Sequence, residues 1–364
     1  MKNQKILLIS MLIIMWAKCA FAISFQEITV PVGTYFGPPS GVSNNGIVVG
    51  TTSLGAFRWQ NGTMTFLQTP ENTEWSGAAA ISYDGQITVG DIYSKDGGSV
   101  IWSGNNIKSL LGKGPFIETH ATSSDGSVIV GRGFLNYDEP VRWENGQITP
   151  LGYLQDDGNY GVAEDVSANG SIVVGFSSSP SKIGSFRWEN GQMVRLADFG
   201  QSWCSVARAI SGDGSVIVGG SLEPVYWKDD QVYALEETKS ISGEAYDVSF
   251  DGKIIVGTYI GGSLPDPGWS AFIYDPVNGL QNFKGFLSNS GLNMAGWDFT
   301  QATAISPNGR YIVGSGFNPQ GIETGWVVTI PEPASAVFFV GTILLIVKKR
   351  YNNGSKIKIV IAHT

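Results

Sequence analysis

The sequence has few of the residue types from which catalytic and metal sites are usually built. It contains two histidines and two cysteines among 364 residues, and only 15% of its residues are charged. There is no Gly-x-Ser-x-Gly motif, and His120 and Cys204 are more than 80 residues apart, so no nucleophile–base pattern is present. No acidic series has the spacing of a calcium-binding loop. The sequence therefore predicts no catalytic residues, no bound metal and no cofactor.

The N-terminus carries a short apolar stretch that has the features of a secretory signal. Two lysines precede an apolar run over residues 6–17, and the small residues Ala20 and Ala22 form a small-x-small cleavage site. A retained membrane helix is the alternative, although twelve apolar residues are short for a span. Cleavage after Ala22 leaves Cys204 as the only cysteine, which excludes an intrachain disulfide.

The C-terminus carries a second apolar stretch between a Pro-Glu-Pro motif and a basic cluster. The apolar run covers residues 334–347, and a tail of residues 351–364 follows the basic cluster. This order resembles the PEP-CTERM sorting signal of Gram-negative bacteria, which implies transient membrane insertion and removal of the tail by an exosortase. A plain C-terminal anchor is the alternative. The motif is Pro331, Glu332 and Pro333, and the basic cluster is Lys348, Lys349 and Arg350.

Basic residues are scarce in the part of the chain between these two ends. Residues 23–333 hold all 31 acidic residues but only 15 of the 23 lysines and arginines, so their formal net charge is −16. A domain with this charge repels nucleic acid and anionic lipid. Neutral or cationic partners are therefore expected, and nucleic acid is not.

What the sequence does have is a repeat. Seven segments share a Ser-x-Asp/Asn-Gly motif, then a β-branched strand, then a second glycine. An aromatic residue ends a further strand in every copy, and Asn-Gly follows it in several. Asp-Gly and Asn-Gly between apolar strands predict type I′ hairpin turns. The repeats open at Ser43, Ser82, Ser123, Ser167, Ser211, Ser249 and Ser306.

Two hairpins per repeat make four strands in about 42 residues, which is the size of one blade of a β-propeller. The last copy lacks its fourth strand because Pro331 intervenes, and residues 25–30 resemble the fourth strands of the other copies. We therefore predict an all-β fold, a seven-bladed β-propeller over residues 23–329 in which the N-terminal strand completes the seventh blade. The flanking segments are a leader (1–22), a sorting signal (330–350) and an extension (351–364).

The second motif of the repeat resembles a known family. Residues 56–59 (Ala-Phe-Arg-Trp), 185–188 (Ser-Phe-Arg-Trp) and 271–274 (Ala-Phe-Ile-Tyr) are similar to the bacterial extracellular HAF repeat, although the leading histidine of that motif is absent. The resemblance covers roughly residues 40–329. It implies export and a repeat architecture, and it implies no particular chemistry.

Strand order predicts which face of the ring carries a ligand. The short Asp/Asn-Gly and Asn-Gly turns share one face, here called the hairpin face. The connections that differ in length share the other, the variable face. Aromatic and acidic residues are frequent on the variable face, which suits sugar stacking, and the alternative is that these aromatics pack between blades. The candidate ligand-binding residues are Trp75, Tyr160, Trp203, Trp269 and Trp297.

Taken together, these features predict an exported, surface- or matrix-associated protein of a Gram-negative bacterium with a binding or structural role. The Sec machinery and an exosortase are the expected processing partners, and extracellular polysaccharide is the expected ligand. The alternative is a carbohydrate-active hydrolase or lyase that uses the loop carboxylates Asp156-Asp157 or Asp138-Glu139. His120 aligns with Glu164 and Arg208 on the inner strands, so we expect it near the propeller axis rather than in a catalytic pair.

Overall fold

Each sequence repeat forms one four-stranded antiparallel blade, and seven blades make up a β-propeller. The computed structural model describes residues 23–31, 33–94, 97–104, 106–109, 117–134, 138–154, 158–179, 182–199, 205–236, 241–261 and 268–331. These residues contain 28 strands and one short helix. Ser24–Thr329 form one compact unit, and of the second unit only Ile23, Ile330 and Pro331 are described.

The strands follow one another in chain order through each blade, from the innermost strand outwards. The first four blades are β2 (Gly41–Val42), β3 (Val48–Thr52), β4 (Gly55–Gln60) and β5 (Thr63–Phe66); β6 (Trp75–Ile81), β7 (Ile87–Tyr93), β8 (Gly98–Ser103) and β9 (Asn106–Ser109); β10 (Ile117–Thr122), β11 (Val128–Phe134), β12 (Asp138–Glu144) and β13 (Gln147–Pro150); β14 (Tyr160–Val166), β15 (Ile172–Ser179), β16 (Lys182–Glu189) and β17 (Gln192–Arg195).

Blades 5 and 6 follow the same plan, and blade 7 takes its outer strand from the N-terminus. These blades are β18 (Val206–Ile210), β19 (Ile217–Gly220), β20 (Pro224–Lys228) and β21 (Gln231–Ala234); β22 (Ile241–Val248), β23 (Ile255–Gly261), β24 (Ser270–Asp275) and β25 (Gly279–Asn282), followed by helix α1 (Phe283–Asn289); β26 (Asp298–Ile305), β27 (Tyr311–Phe317), β28 (Glu323–Thr329) and β1 (Ser24–Ile28).

The predicted closure of the ring is confirmed. Strand β1 pairs antiparallel with β28, with Phe25 opposite Val328. Its residue Ile28 is fully buried, and the Thr324 hydroxyl donates to the Ile28 carbonyl at 3.1 Å. The outer strand of blade 7 therefore comes from the other end of the chain, and it covers the edge that β28 would otherwise expose.

The two kinds of hairpin turn differ, which corrects one prediction. In the turns between the third and fourth strands of blades 1, 3, 4 and 5 both central residues have positive φ, for example Asn61 and Gly62, as a type I′ turn requires. In the turns between the first and second strands only the glycine has positive φ, as at Gly126. There the Ser123 hydroxyl accepts from the Val128 N–H at 3.0 Å and donates to Asp125 at 2.8 Å. The serine side chain therefore supports a wider turn that ends on glycine.

In six of the seven repeats, the second glycine is explained by a bulge in the neighbouring inner strand. The pairing of β10 with β11 shifts register between Thr119 and Ala121, which pushes the Glu118 carbonyl against the second strand. A Cβ atom at Gly131 would collide with that oxygen. The same collision with an inner-strand carbonyl exists in five other blades, so only glycine fits. The glycines involved are Gly90, Gly131, Gly175, Gly219, Gly257 and Gly314.

Hydrogen bonds join the turns of neighbouring blades into a closed circle on the hairpin face, here called the turn belt, and those from blades 1 to 6 join backbone atoms. In blades 1 to 4 the residue after the turn serine donates its N–H to the equivalent carbonyl of the next blade, at 2.9–3.1 Å. Pro307 has no N–H to donate, and in blade 7 the side-chain amide of Asn308 donates to the Asn44 carbonyl instead, at 3.0 Å. The belt residues are Asn44, Tyr83, Ser124, Ala168, Gly212, Phe250 and Pro307.

Several predicted features lie outside the described residues. Among the residues that the structure does describe, no helix is both long and apolar enough to cross a membrane. The predicted leader and most of the predicted sorting signal fall elsewhere. The predicted residues outside the described ranges are Ala20, Ala22, Trp203, Glu332, Pro333, Lys348, Lys349 and Arg350, with the loop carboxylates Asp156 and Asp157.

Candidate functional site

The candidate aromatic residues divide into three environments. Trp75 and Trp269 are 47% and 51% exposed, at the start of β6 and directly before β24, so both lie on the variable face. Tyr160 is half-buried at the first residue of β14. Trp297 is only 9% exposed, which corrects its prediction as a surface residue. It lies with its ring centroid 4.7 Å from that of Phe25 and so belongs to the core of the closing blade.

The inner strands of all seven blades line a central cavity of about 400 Å³. His120 lies in its wall, as the sequence alignment predicts, together with Glu164 and Arg208 from the next two blades. At the hairpin face the rings of Tyr83 and Phe250 meet, with centroids 6.3 Å apart. These two residues belong to blades 2 and 6, so their side chains cross the axis and narrow the cavity at that end.

A chain of ion pairs runs through four successive blades at the level of His120. The Nδ1 atom of His120 lies 3.1 Å from Glu164 Oε2. Arg208 lies between two carboxylates, with Nη1 2.7 Å from Glu164 Oε1 and Nε 2.8 Å from Glu244 Oε1. We call these four residues the axial charge layer. Each charge is compensated by a neighbour, which is what a partly buried charged group requires.

The pKa values in this layer follow from that pairing. Burial alone would lower the pKa of His120, but the hydrogen bond and charge of Glu164, with the charges of Glu118 and Asp91, outweigh burial and raise it. Burial alone would raise the pKa of Glu164, but the hydrogen bonds and charges of His120 and Arg208 hold it below its ordinary value. Glu164 is therefore an ionised partner rather than a proton donor at neutral pH.

A second cavity of about 340 Å³ lies beside the axial charge layer, among residues from the variable-face ends of the strands of blades 3 to 5. It shares His120, Glu164 and Arg208 with the central cavity. We call it the mouth pocket. Its apolar wall includes the aromatic residues Tyr160 and Phe176, whose ring centroids are 5.8 Å apart.

The polar rim of the mouth pocket is organised by Arg132. Its guanidinium pairs with Glu118, lies 3.6 Å from Asp138 Oδ2 and stands 5.6 Å from the centre of the Tyr160 ring. One side of the pocket therefore offers an aromatic ring and apolar carbon, and the other offers charged hydrogen-bonding groups. Such a pocket suits a ligand that has one apolar surface and one polar edge.

Of the residues that the sequence singles out, Tyr160 lies in the wall of the mouth pocket and His120 lies near the axis. Glu118, Arg132 and Glu244 are not predicted as parts of one site. Glu118 and Arg132 come from blade 3, and Glu244 comes from blade 6, more than 110 residues further along the chain. One signal was available: the inner-strand position that holds His120 also holds Glu164 and Arg208, in strands that are otherwise mainly apolar. Within the described ranges, no three His, Cys, Asp or Glu side chains are arranged to hold a metal ion.

Comparison with known proteins shows the fold. No protein-family model matches the chain. No curated protein sequence matches it either. Among solved structures, an oligogalacturonate lyase from Vibrio parahaemolyticus is 11% identical with a TM-score of 0.54, over 85% of this chain and 98% of that one. The extracellular domain of a one component system from B. thetaiotaomicron is 9% identical with a TM-score of 0.54, over 84% of this chain and 39% of that one.

TolB from Acinetobacter baumannii is also similar, at 16% identity and a TM-score of 0.43. That match covers 64% of this chain and 59% of the TolB chain, so the chain spans less than two thirds of the length of this relative. The β-propeller architecture predicted from the repeats is also that of the oligogalacturonate lyase, whose TM-score is 0.54.

Proposed function

We propose that this protein is exported and associates with the cell surface or extracellular matrix, where it binds polysaccharide without transforming it. The observation that carries the proposal is the mouth pocket, which places the half-buried Tyr160 beside a ring of fixed charged groups on the variable face. Sugar rings present an apolar face to aromatic side chains and a polar edge of hydroxyls to charged ones. The pocket volume is within the ordinary range for small-ligand sites.

Export is supported by the two ends of the sequence. The leader over residues 1–22, the resemblance to PEP-CTERM signals at Pro331 and the resemblance to extracellular HAF repeats all favour a route through the Sec machinery and an exosortase. Such sorting systems accompany exopolysaccharide production, which makes a matrix polysaccharide the expected partner. On this proposal the hydrophobic segment enters the membrane only during sorting.

Within the mouth pocket, the state of the carboxylates favours binding over catalysis. A glycosidase needs one carboxyl group with a raised pKa to act as general acid. In the mouth pocket Glu164 has a lowered pKa, because His120 and Arg208 hold its charged form. Glu118 is engaged by Arg132. A set of compensated charges holds a fixed geometry for hydrogen bonding and is suited to recognition.

A glycan array with the purified protein tests this function, followed by affinity measurements on two matched variants. Tyr160→Ala removes the aromatic wall of the mouth pocket, and Tyr233→Ala removes an exposed tyrosine from the outer strand β21. A stacking contact contributes about 1 kcal/mol, or roughly fivefold in affinity. We expect Tyr160→Ala to weaken binding by about that factor or more, and Tyr233→Ala to leave it unchanged.

Two results would contradict the proposal. One is a parent protein that binds no glycan on the array. The other is equal weakening by both variants, which would place the ligand away from the mouth pocket. Melting temperatures of both variants are measured alongside, because a loss of folding in Tyr160→Ala would lower its melting temperature as well as its affinity.

A further inference from the structure

The charged groups around the mouth pocket restrict the class of sugar that it can bind. Each of its two guanidinium groups lies between two carboxylates. Arg132 is engaged by Glu118 and Asp138, and Arg208 is engaged by Glu164 and Glu244. A guanidinium that already has two anionic partners has little attraction left for a third. The arginines are therefore poor receptors for an anionic ligand.

The sum of the charges in this network is negative. Four carboxylates face two guanidinium groups and one imidazole, so the network carries at least one net negative charge even when His120 is protonated. The wider domain has the same sign, with a formal charge of −16 over residues 23–333. A low-dielectric cleft with net negative charge attracts cations and repels anions.

The most accessible charged group of the network is an anion. The Glu118 side chain is 41% exposed, against 34% for Arg208 and 22% for its partner Arg132. Glu118 also lines the mouth pocket directly. For a ligand that enters from the variable face, the most exposed charged group of the network is therefore a carboxylate. An ammonium group can pair with this carboxylate while the rest of the sugar lies against Tyr160.

We propose that the mouth pocket binds a sugar residue that carries a primary ammonium group, a 2-amino sugar, and that Glu118 is the residue that contacts the ammonium. This inference rests on the proposed function, because it specifies the ligand class of the same site. Uronic acids, which carry a carboxylate, are excluded by the same charge balance. N-acetylated sugars keep the ring shape but lose the charge, and they bind more weakly.

Three tetrasaccharides of similar size test the inference by isothermal titration at physiological salt. The probes are fully deacetylated glucosamine tetramer, N-acetylglucosamine tetramer and galacturonate tetramer. We expect the glucosamine tetramer to bind at least tenfold more tightly than the acetylated one, since a charge-assisted hydrogen bond is among the stronger single contacts. We expect no detectable binding of the galacturonate tetramer.

A matched pair of variants separates a specific contact from general attraction to an acidic protein. Glu118→Gln removes one negative charge from the mouth pocket, and Asp230→Asn removes one from an exposed turn on the hairpin face. Asp230 has a φ of 59°, a conformation that asparagine also tolerates. We expect Glu118→Gln to reduce glucosamine binding to the level of the acetylated probe, Glu118→Asp to retain much of the preference, and Asp230→Asn to have no effect.

Each outcome has a distinct meaning. Equal affinity for the glucosamine and acetylated probes, or a preference for galacturonate, overturns the inference and leaves the proposed function intact. Equal effects of Glu118→Gln and Asp230→Asn also overturn it, because they show attraction to the whole acidic surface. If none of the three probes binds and the array is negative as well, the proposed function itself is wrong.

Discussion

Two buried aspartates connect the inner strands of neighbouring blades through hydrogen bonds. Asp165 Oδ2 accepts the Ile210 N–H of the next blade at 2.8 Å, and Asp247 Oδ2 accepts the Ile305 N–H at 2.7 Å. The equivalent position holds alanine or glycine in the other five blades. A carboxyl group at this site accepts a hydrogen bond from a backbone N–H on the inner strand of the next blade, which would otherwise face the cavity. The arrangement buries an ionisable group, which is unfavourable when that group is charged.

These aspartates predict an unusual dependence of stability on pH. Burial outweighs the backbone hydrogen bonds and raises the pKa of Asp165 to about 8 and that of Asp247 to about 7. Both groups therefore hold a proton in the folded state that the unfolded chain has already lost near pH 4. Their full contribution to the free energy of unfolding is present below about pH 4, the pKa of an aspartate in the unfolded chain. It is lost as the pH rises through the folded-state pKa values of about 7 and about 8.

We expect the melting temperature to fall between pH 5 and pH 9 for this reason. The double variant Asp165→Asn/Asp247→Asn cannot ionise at these sites, so its melting temperature should depend less on pH across the same range. Its absolute stability will be lower, because an amide has one acceptor oxygen where each carboxyl group accepts two N–H bonds. Melting curves over the pH range check the slope, and identical slopes for parent and variant would contradict the prediction.

At the residue scale, part of the site was predictable and part was not. His120, Glu164 and Arg208 share one repeat position, so the sequence alone placed them at one level near the axis. Glu118 and Arg132 belong to different repeat positions and meet only through the pairing of β10 with β11.

Trp297 was predicted as a surface residue because it precedes a strand in a variable connection. Its burial depends on Phe25, about 270 residues away in the chain.

The repeat's strands and turns were predictable because their signals are local. Alternation of apolar residues, Asn-Gly pairs and the turn serine each act within about six residues. The type of the first turn was not predictable from Asp-Gly alone, since the buried serine hydroxyl changes its width. The turn belt was not predictable either, because it joins residues about 40 positions apart through backbone atoms that have no sequence signature.

The turn belt leads to a prediction at the seam between blades 7 and 1. Asn308→Asp keeps the oxygen that accepts from the Ser306 hydroxyl but replaces the amide that donates to the Asn44 carbonyl. The new carboxylate oxygen faces a carbonyl oxygen at an exposed site, so we expect a loss of about 0.5–1.5 kcal/mol in the free energy of unfolding, the net contribution of one hydrogen bond. Denaturant titration measures this loss.

The matched control is Asn169→Asp in blade 4. There the belt bond is made by the Ala168 N–H, at 3.1 Å, and the asparagine side chain is not needed for it. Other blades carry aspartate at this position, as at Asp125. We expect the control to cost less than about 0.5 kcal/mol, the usual limit for a neutral surface change. Equal losses in the two variants would show that the amide of Asn308 has no special role.

For the molecule as a whole, the fold follows from repetition and from closure together. Each blade buries its faces against its neighbours, as in the cluster that joins Val49 of blade 1 to Trp102 of blade 2. The ring then needs a last contact between its ends, which β1 and β28 supply. The count of seven copies and the missing fourth strand of the last copy made this closure predictable from sequence.

Processing of the two chain ends is the prediction that belongs to this scale. If the leader and sorting signal act as proposed, the mature protein begins at Ile23 and lacks most of the residues after Pro333. Intact-mass measurement of protein from the native host checks both ends at once. A surface-exposed protein that still carries residues 351–364 would contradict sorting and favour a plain anchor.

The pairing of β1 with β28 has a consequence for how the protein is made. The first strand to be synthesised is the last to find its partner, since Glu323–Thr329 follow it by nearly 300 residues. A truncated chain that stops anywhere before β28 leaves both ends of an arc exposed and β1 without its neighbour. The closed ring can therefore form only after translation has reached β28. We expect proteases to degrade unfinished chains faster, because their strand edges are exposed.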